Sequence, residues 1–258
     1  MKTSFLLVPV FLFLFSTTAS AGIMDGLVAH YEFEGDFTDS AGTNDGTASG
    51  GTSFSVGVIG QSASFDGLND AVTVANTESV LGPNPSAWSV AFWGMDNSPT
   101  SGKKTFVADY HGGSGQDTHF GFHFASESTG QTTVAVRDTP DQSVAFGNTL
   151  QSGEWNHYAM TASESLSQVN YYIDGILTDT VSLAAGDHID SFPMYFGAIF
   201  INGGLSEFLN GELDDVRIYN RALSSSEVGT LAQGVPTPAT FLLFIIGLTA
   251  IRCRRAGT

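Results

Sequence analysis

Short apolar and alternating runs follow one another along residues 22–234, separated by clusters of Gly, Asn, Asp and Ser. Each run has the length of a β-strand, and none shows the sustained period of a long helix. The runs are 27–33, 63–65, 71–74, 88–93, 106–108, 119–125, 133–136, 155–161, 169–173, 194–200 and 213–219. The pattern predicts one all-β domain, a sandwich or a barrel.

The alternation within a run sorts side chains onto the two faces of a strand, because successive residues of a strand point in opposite directions. Phe122 and Phe124 therefore oppose His123, and Phe92 opposes Trp93. We expect one face of each strand to pack in the core and the other to meet water or a ligand.

Two local patterns predict a turn and a helix. Asp174-Gly175 between two strand-like runs is typical of a two-residue hairpin turn, which needs positive φ at both positions. Ser224 followed by Glu227 forms a capping box in front of a short amphipathic segment. A short C-terminal helix is thus expected after the last strand.

The order of these motifs resembles the bacterial laminin-G-like, or concanavalin A-like, jelly-roll family across almost all of residues 26–232. The similar segments are 26–35, 39–46, 63–67, 70–72, 88–93, 153–158, 172–175 and 211–224. The resemblance implies two stacked antiparallel sheets, and a domain that binds sugars or proteins more often than it catalyses. Fold analogy alone leaves the ligand open.

The chain begins with the pattern of a secretory signal peptide. Lys2 precedes the apolar run 5–15, and small residues close the segment at Ala19-Ser20-Ala21. The run is too short for a typical membrane-spanning helix. We expect export across the inner membrane with cleavage after Ala21, which leaves residues 22–234 as the domain.

Residues 235–258 resemble a PEP-CTERM sorting tail, in which a proline motif is cut by an exosortase while an apolar run and arginines hold the tail transiently in the inner membrane. The matching residues are Pro236, Pro238, Arg252, Arg254 and Arg255 around the apolar run 239–251. Thr237 departs from the family, which usually has Glu there. The resemblance implies a secreted, cell-surface or matrix protein, and an ordinary C-terminal anchor is the alternative.

Charge narrows the choice of partners. All 26 acidic residues lie in the domain, which has only five Lys and Arg residues and so a formal charge of −21. Such a field disfavours nucleic acid and anionic membranes, and leaves neutral sugars and cations open. The single cysteine, Cys253, lies in the tail, so the domain has no disulfide.

Catalytic patterns are incomplete. Laminarinase-like glycosidases resemble one another in a Glu-x-Asp-x-x-Glu strand, and here Glu212 and Asp214 are followed by Arg217 in place of the second Glu. A retaining mechanism needs both carboxylates. We therefore expect no enzymatic activity, with a divergent glycoside hydrolase as an alternative, and a zinc centre built on His119 and His123 as a weaker one.

A sugar site requires an aromatic platform with flanking hydrogen-bonding groups, since sugar rings have apolar faces and hydroxyl rims. By strand parity or loop position the candidates are Trp93, Tyr110, His119, His123 and Arg137. The leading hypothesis is a non-enzymatic domain that binds polysaccharide or an envelope protein. A structural matrix protein without a specific ligand is the alternative.

A structural calcium ion is also expected, joining the first turn to the last strand. Parity puts Asp214 on the face of Val216 and Ile218, where a buried carboxylate needs compensation. Asp39, Asn44 and Asp66 offer further oxygen ligands of the kind calcium prefers. The alternative is that Asp214 only accepts backbone N–H bonds.

Overall fold

A computed structural model describes residues 22–82, 85–109, 111–112, 121–137, 142–182 and 193–234. Both predicted terminal segments, 1–21 and 235–258, lie outside the described residues. The strands are β1 (Leu27–Tyr31), β2 (Thr47–Ser49), β3 (Ser53–Val56), β4 (Gln61–Asp66), β5 (Ala71–Asn76), β6 (Ala87–Asp96), β7 (Lys104–Ala108), β8 (His111–Gly112), β9 (Gly121–Ser126), β10 (Gln131–Arg137), β11 (Gln142–Thr149), β12 (Asn156–Ser163), β13 (Gln168–Ile173), β14 (Ile176–Ser182), β15 (Pro193–Phe196), β16 (Ile199–Ile201), β17 (Gly204–Ser206) and β18 (Asn210–Tyr219). Two short helices, α1 (Thr77–Leu81) and α2 (Ser225–Leu231), complete the described elements.

The strands form a sandwich of two antiparallel sheets. The larger sheet has the order β14-β13-β12-β6-β18-β4-β3, with β1 also paired to β18. The smaller sheet has the order β11-β10-β9-β7-β15-β5-β2, and a three-stranded sheet, β17-β16-β8, adds to it. The antiparallel jelly-roll sandwich implied by the family resemblance is confirmed.

Aromatic side chains from both sheets interlock in the core. Trp88 and Phe92 of β6 meet Phe122 and Phe124 of β9, with ring centroids 5.3 Å and 5.0 Å apart. All four side chains are almost fully buried. Such rings contribute beyond the area that they bury, because edge-to-face and offset geometries are attractive. The residues between them therefore point to the outer faces, as parity predicted.

Strand β18 changes partner halfway along its length. Its first half, Asn210–Leu213, pairs with β4, and its last part, from Val216, pairs with β1 on the same side. Between them, Asp214 opposes Trp93 while Arg217 opposes Ala91, so β18 carries one extra residue. Asp215 adopts φ 54°, as expected for a β-bulge. A gap between β1 and β4 follows from this change of partner.

The predicted local motifs are confirmed. Asp174 and Gly175 have φ of 51° and 77° and join β13 to β14. Ser224 caps α2 and forms the full capping box with Glu227. Val228 and Leu231 of α2 pack with Ile23 on the outer face of the larger sheet.

The segment before β1 is fastened to the chain just after β18. The guanidinium of Arg221 donates to the carbonyls of Gly22 and Asp25 and to the Glu227 carboxylate. Tyr219 donates its hydroxyl hydrogen to the carbonyl of Ile23 at 3.0 Å. No helix of the described part of the chain is long and apolar enough to cross a membrane.

Candidate functional site

Three polar side chains form a row across the outer face of the larger sheet. Asp214 of β18 is paired with Trp93 of β6, and Trp93 is paired with His157 of β12. Directly opposed residues on one face of a sheet are side-chain neighbours. The rings of Trp93 and His157 meet edge to face, with centroids 5.3 Å apart.

Each residue of this row has a buried polar atom without a hydrogen-bond partner. The atoms are Nε1 of Trp93, Nδ1 of His157 and Oδ1 of Asp214. Asp214 and His157 are almost fully buried, at 0% and 2% exposure, whereas Trp93 is half-buried. Unpaired buried polar atoms are costly, and three of them lie side by side in this row.

A charged network lies beside the row, at the bulge. Oδ1 of Asp215 is 2.6 Å from Nε2 of His30 and 2.9 Å from Nη2 of Arg217. All three residues are buried. Because the carboxylate and the guanidinium neutralise each other, this part of the site is electrostatically satisfied.

An acidic cleft of about 410 Å³ opens in the gap between β1 and β4. It is lined by Glu32, Glu34, Ile59, Gly60, Asp214, Asp215 and Arg217. Four of these residues carry carboxylates and one carries a guanidinium. The cleft therefore has an excess of negative charge.

The turn between β3 and β4 lies against Asp214. Ile59 donates its backbone N–H to Oδ2 of Asp214 at 2.8 Å, and a Cβ added at Gly57 would meet the same oxygen at 2.5 Å. At Gly60, where φ is 67°, an added Cβ would clash with the Glu34 carboxylate. The two glycines thus let the turn approach both carboxylates closely.

Burial shifts the pKa of two residues in the row in opposite directions. Burial raises the pKa of Asp214 to about 7, and the nearby Asp215 adds to the rise, although backbone N–H groups of Ile59 and Val58 oppose it. Burial lowers the pKa of His157 to about 3, with a further lowering from Arg217. Both shifts favour the uncharged form, as expected where charges lose water.

The predicted sugar-binding residues do not form one platform. Trp93 lies on the outer face of the larger sheet, whereas His123 lies on the outer face of the smaller sheet, where its Nε2 is 2.9 Å from the Thr105 hydroxyl. The core separates these two faces. Arg137 ends β10 opposite Gly121, but its side chain, Tyr110 and His119 lie outside the described residues.

The predicted calcium ligands are also dispersed. The carboxylate of Asp39 accepts backbone N–H bonds from His30, Ala41, Gly42 and Asn44, so its oxygens organise the first turn. In the described part of the chain, no three His, Cys, Asp or Glu residues converge as a metal site. Calcium binding itself stays a prediction.

The placement of the other two calcium candidates differs from expectation. Asp66, the last residue of β4, is exposed and accepts the N–H of Leu68 at 2.8 Å. The prediction that Asp214 shares a face with Val216 and Ile218 is wrong, because the extra residue at Asp215 reverses parity. Asp214 faces outward with Arg217, while Val216 and Ile218 enter the core.

The bulge also bears on the incomplete glycosidase pattern. Glu212 is held by the hydroxyl of Ser62 at 2.8 Å, and Asp214 faces outward two residues later. Arg217, which stands in place of the second Glu, binds Asp215 and His30. A guanidinium cannot act as a carboxylate nucleophile or acid/base, so this strand lacks one half of the pair that retaining chemistry needs.

Sequence reasoning missed most of the site. His30, Asp215 and Arg217 were not predicted to meet, and Glu32 and Glu34 were not among the predicted site residues. The neighbouring pair Asp214-Asp215 in an otherwise alternating strand was the available indication of a bulge. It is a weak one, since two adjacent acids also occur in regular strands.

Comparisons with known proteins agree on the architecture. A family model described as Concanavalin A-like lectin/glucanases superfamily matches residues 65–229. No curated protein is similar enough in sequence to count as a match. The matched range contains β6, β12 and β18, and therefore the row described above.

Solved structures with similar folds include binding domains. Domain 4 of AbnA, an extracellular arabinanase from Geobacillus stearothermophilus solved with arabinotriose, has 22% identity and a TM-score of 0.61, covering 80% of this chain and 98% of that one. The binding domain of Paraclostridial Mosquitocidal Protein 1 has 20% identity and a TM-score of 0.63, covering 81% of this chain and 52% of that one. A structure of botulinum neurotoxin type C, whose cell entry depends on interaction with two ganglioside molecules, has 15% identity and a TM-score of 0.64, covering 83% of this chain and 52% of that one. The chain thus spans about half of each toxin structure.

Proposed function

The chain belongs to the concanavalin A-like lectin/glucanases superfamily, and we propose that it is a non-enzymatic carbohydrate-binding domain whose site is the row Asp214–Trp93–His157 with the adjoining acidic cleft. The unpaired polar atoms of the row carry this proposal. The half-buried indole of Trp93 offers an apolar surface to the face of a sugar ring. Its own N–H group, the Asp214 oxygen and the His157 imidazole offer hydrogen bonds to the hydroxyl groups at the rim of the ring.

The neighbouring structures support a sugar as the ligand class. Domain 4 of AbnA was solved with arabinotriose, and cell entry of the type C neurotoxin depends on gangliosides, which carry sugars. The similar domain of Paraclostridial Mosquitocidal Protein 1 is a binding domain, and the superfamily name covers lectins as well as glucanases. Arg217 in place of a second Glu favours binding over hydrolysis here.

Delivery to the cell surface belongs to the same proposal. The signal-peptide pattern of residues 1–21 and the sorting-tail pattern of residues 235–258 support export and processing by an exosortase-type enzyme. An extracellular polysaccharide is the ligand that such a location offers. A matrix protein without a specific ligand is the competing function.

A glycan array with the purified chain tests the proposal. We expect wild type to retain at least one polysaccharide, and Trp93→Ala to lose about tenfold in affinity, equivalent to about 1.4 kcal/mol. Because Trp93 is only half-buried, the variant should keep a cooperative unfolding transition. Leu166→Ala, which changes an exposed side chain of the turn between β12 and β13, is the control. Binding to no glycan would favour the matrix protein, and unchanged binding by Trp93→Ala would place the site elsewhere.

A further inference from the structure

The acidic cleft contains more carboxylates than its one guanidinium can neutralise. Arg217 is already engaged with Asp215 at 2.9 Å, so it does not neutralise the other acids. Glu32, Glu34 and Asp214 remain as three carboxylates around one opening. Lys103, Lys104 and Arg221 make their bonds elsewhere, with Glu127, with backbone carbonyls and with Glu227.

Asp214 provides an independent observation that points to a ligand. It is fully buried and lines the cleft, yet its Oδ1 has no hydrogen-bond partner. The other oxygen is satisfied by the N–H of Ile59. A buried acceptor oxygen of this kind binds a group with hydrogen-bond donors, and it binds a positively charged donor group most strongly.

The arrangement suits an ammonium group. In the described ranges no group of three His, Cys, Asp or Glu side chains is close enough to hold a metal through side chains alone. An ammonium group has three N–H donors that can reach separate carboxylates, and on a sugar ring it sits among hydroxyls. The half-buried Trp93, next to Asp214 on the same face, supplies an apolar surface for that ring.

We propose that the acidic cleft binds the protonated amine of an amino sugar, so that the ligand is a polysaccharide with unacetylated amino groups. This inference rests on the proposed carbohydrate-binding function. The formal charge of −21 draws such a polymer to the domain, and the cleft fixes where its amine docks. N-acetylation removes both the charge and two of the donors, so acetylated polymers lose this contact.

Binding of matched oligosaccharides to the immobilised full-length chain at neutral pH tests the inference. The probes are glucosamine oligomers, N-acetylglucosamine oligomers and glucose oligomers of equal length. We expect the glucosamine oligomer to bind at least about tenfold more tightly than the other two. Polylysine, a polycation without sugar rings, should bind more weakly than the glucosamine oligomer.

Two variants locate the contact, and a third is the control. Glu32→Gln with Glu34→Gln in one chain, and Asp214→Asn alone, should each remove most of the preference for the free amine. Asp179→Asn is the matched control, because Asp179 is an exposed acid at the far edge of the same sheet. This control should bind like wild type.

The outcomes separate this inference from the proposed function. Equal binding of the acetylated and free-amine oligomers would overturn the inference and leave carbohydrate binding intact. Equal effects of Asp179→Asn and of the cleft variants, or polylysine binding as tightly as the oligomer, would reduce the preference to general charge attraction and also overturn it. Binding of no sugar at all would overturn both.

Discussion

The first turn and the bulge of β18 each hold a buried aspartate, and the two carboxylates differ in how many hydrogen bonds they accept. Asp39, 3% exposed, accepts four backbone N–H bonds in the turn that follows β1. Asp214, 0% exposed, has one oxygen bonded to the β3–β4 turn and the other unpaired. Both lie near β1, so the difference is one of local backbone geometry.

This contrast separates an acid that holds the fold from an acid that is available to a ligand. A carboxylate surrounded by N–H donors is compensated in its charged form. A carboxylate with an unpaired oxygen is not, and burial raises the pKa of Asp214 to about 7. Removing the charge should therefore lower the free energy of unfolding when it is done at Asp39 and raise it when it is done at Asp214.

The largest effect is expected at the first turn. Asp39→Ala leaves the backbone N–H groups of His30, Ala41, Gly42 and Asn44 without their acceptor, so the free energy of unfolding should fall by about 4 kcal/mol. Urea denaturation measures it. Asp36→Ala, which removes an exposed acid that accepts a single N–H bond from Thr38, is the control and should change little. Similar losses in both variants would show that Asp39 does not organise the turn.

Calcium should stabilise the folded protein through Asp214 and not through Asp39, with an effect of intermediate size. Because a cation bound only to the folded state adds RT ln(1 + [L]/Kd), calcium at about 100 times Kd should stabilise by about 2.7 kcal/mol. The melting temperature with calcium and with chelator measures it. We expect a response that Asp214→Asn abolishes, since both oxygens of Asp39 already accept backbone N–H bonds and Oδ1 of Asp214 accepts none. Identical melting in both buffers would contradict calcium binding, and a response that survives in Asp214→Asn would move the ion elsewhere.

The third effect is a gain of stability at the bulge. The pKa of Asp214 is raised from 3.8 to about 7, so the folded protein holds a proton there that the unfolded chain releases. This carboxyl therefore makes wild type lose stability as the pH rises from about 4 to 7, and the loss persists above 7. Asp214→Asn keeps an acceptor for Ile59 and removes the charge. It should be more stable than wild type above pH 7 and equally stable near pH 4.

Denaturant titrations at several pH values check this sign. Asp179→Asn serves again as the control, because its carboxylate is exposed and should give no pH-dependent difference. A loss of stability in Asp214→Asn above pH 7 would mean that the charged carboxylate is compensated after all. Both aspartates would then be compensated in their charged form.

Local interactions were predictable from the sequence, and long-range ones were not. The Asp174-Gly175 turn and the Ser224–Glu227 box each depend on residues close in the chain, and both are confirmed. Parity placed Trp93 and His123 outward correctly. It could not tell that their strands belong to different sheets, because strand pairing joins distant segments.

The error at Asp214 has a similar origin. Parity assumes a regular strand, and a single extra residue moves every following side chain to the other face. The bulge lies where β18 leaves β4 and begins to pair with β1, a position set by the packing of three distant segments. The site arises at this irregularity, which explains why the strand pattern alone did not locate it.

The fastening of the segment before β1 has a mechanical consequence. Gly22 and Asp25 are held by Arg221, and Leu27 at the start of β1 pairs with Tyr219 at the end of β18. A force that pulls these two ends apart loads the Arg221 bonds first and then the β1–β18 ladder one rung at a time. Rungs that break in succession resist less than rungs loaded together. Under tension the domain should therefore begin to open at this corner, with the β1–β18 pairs separating one after another while the aromatic core stays packed.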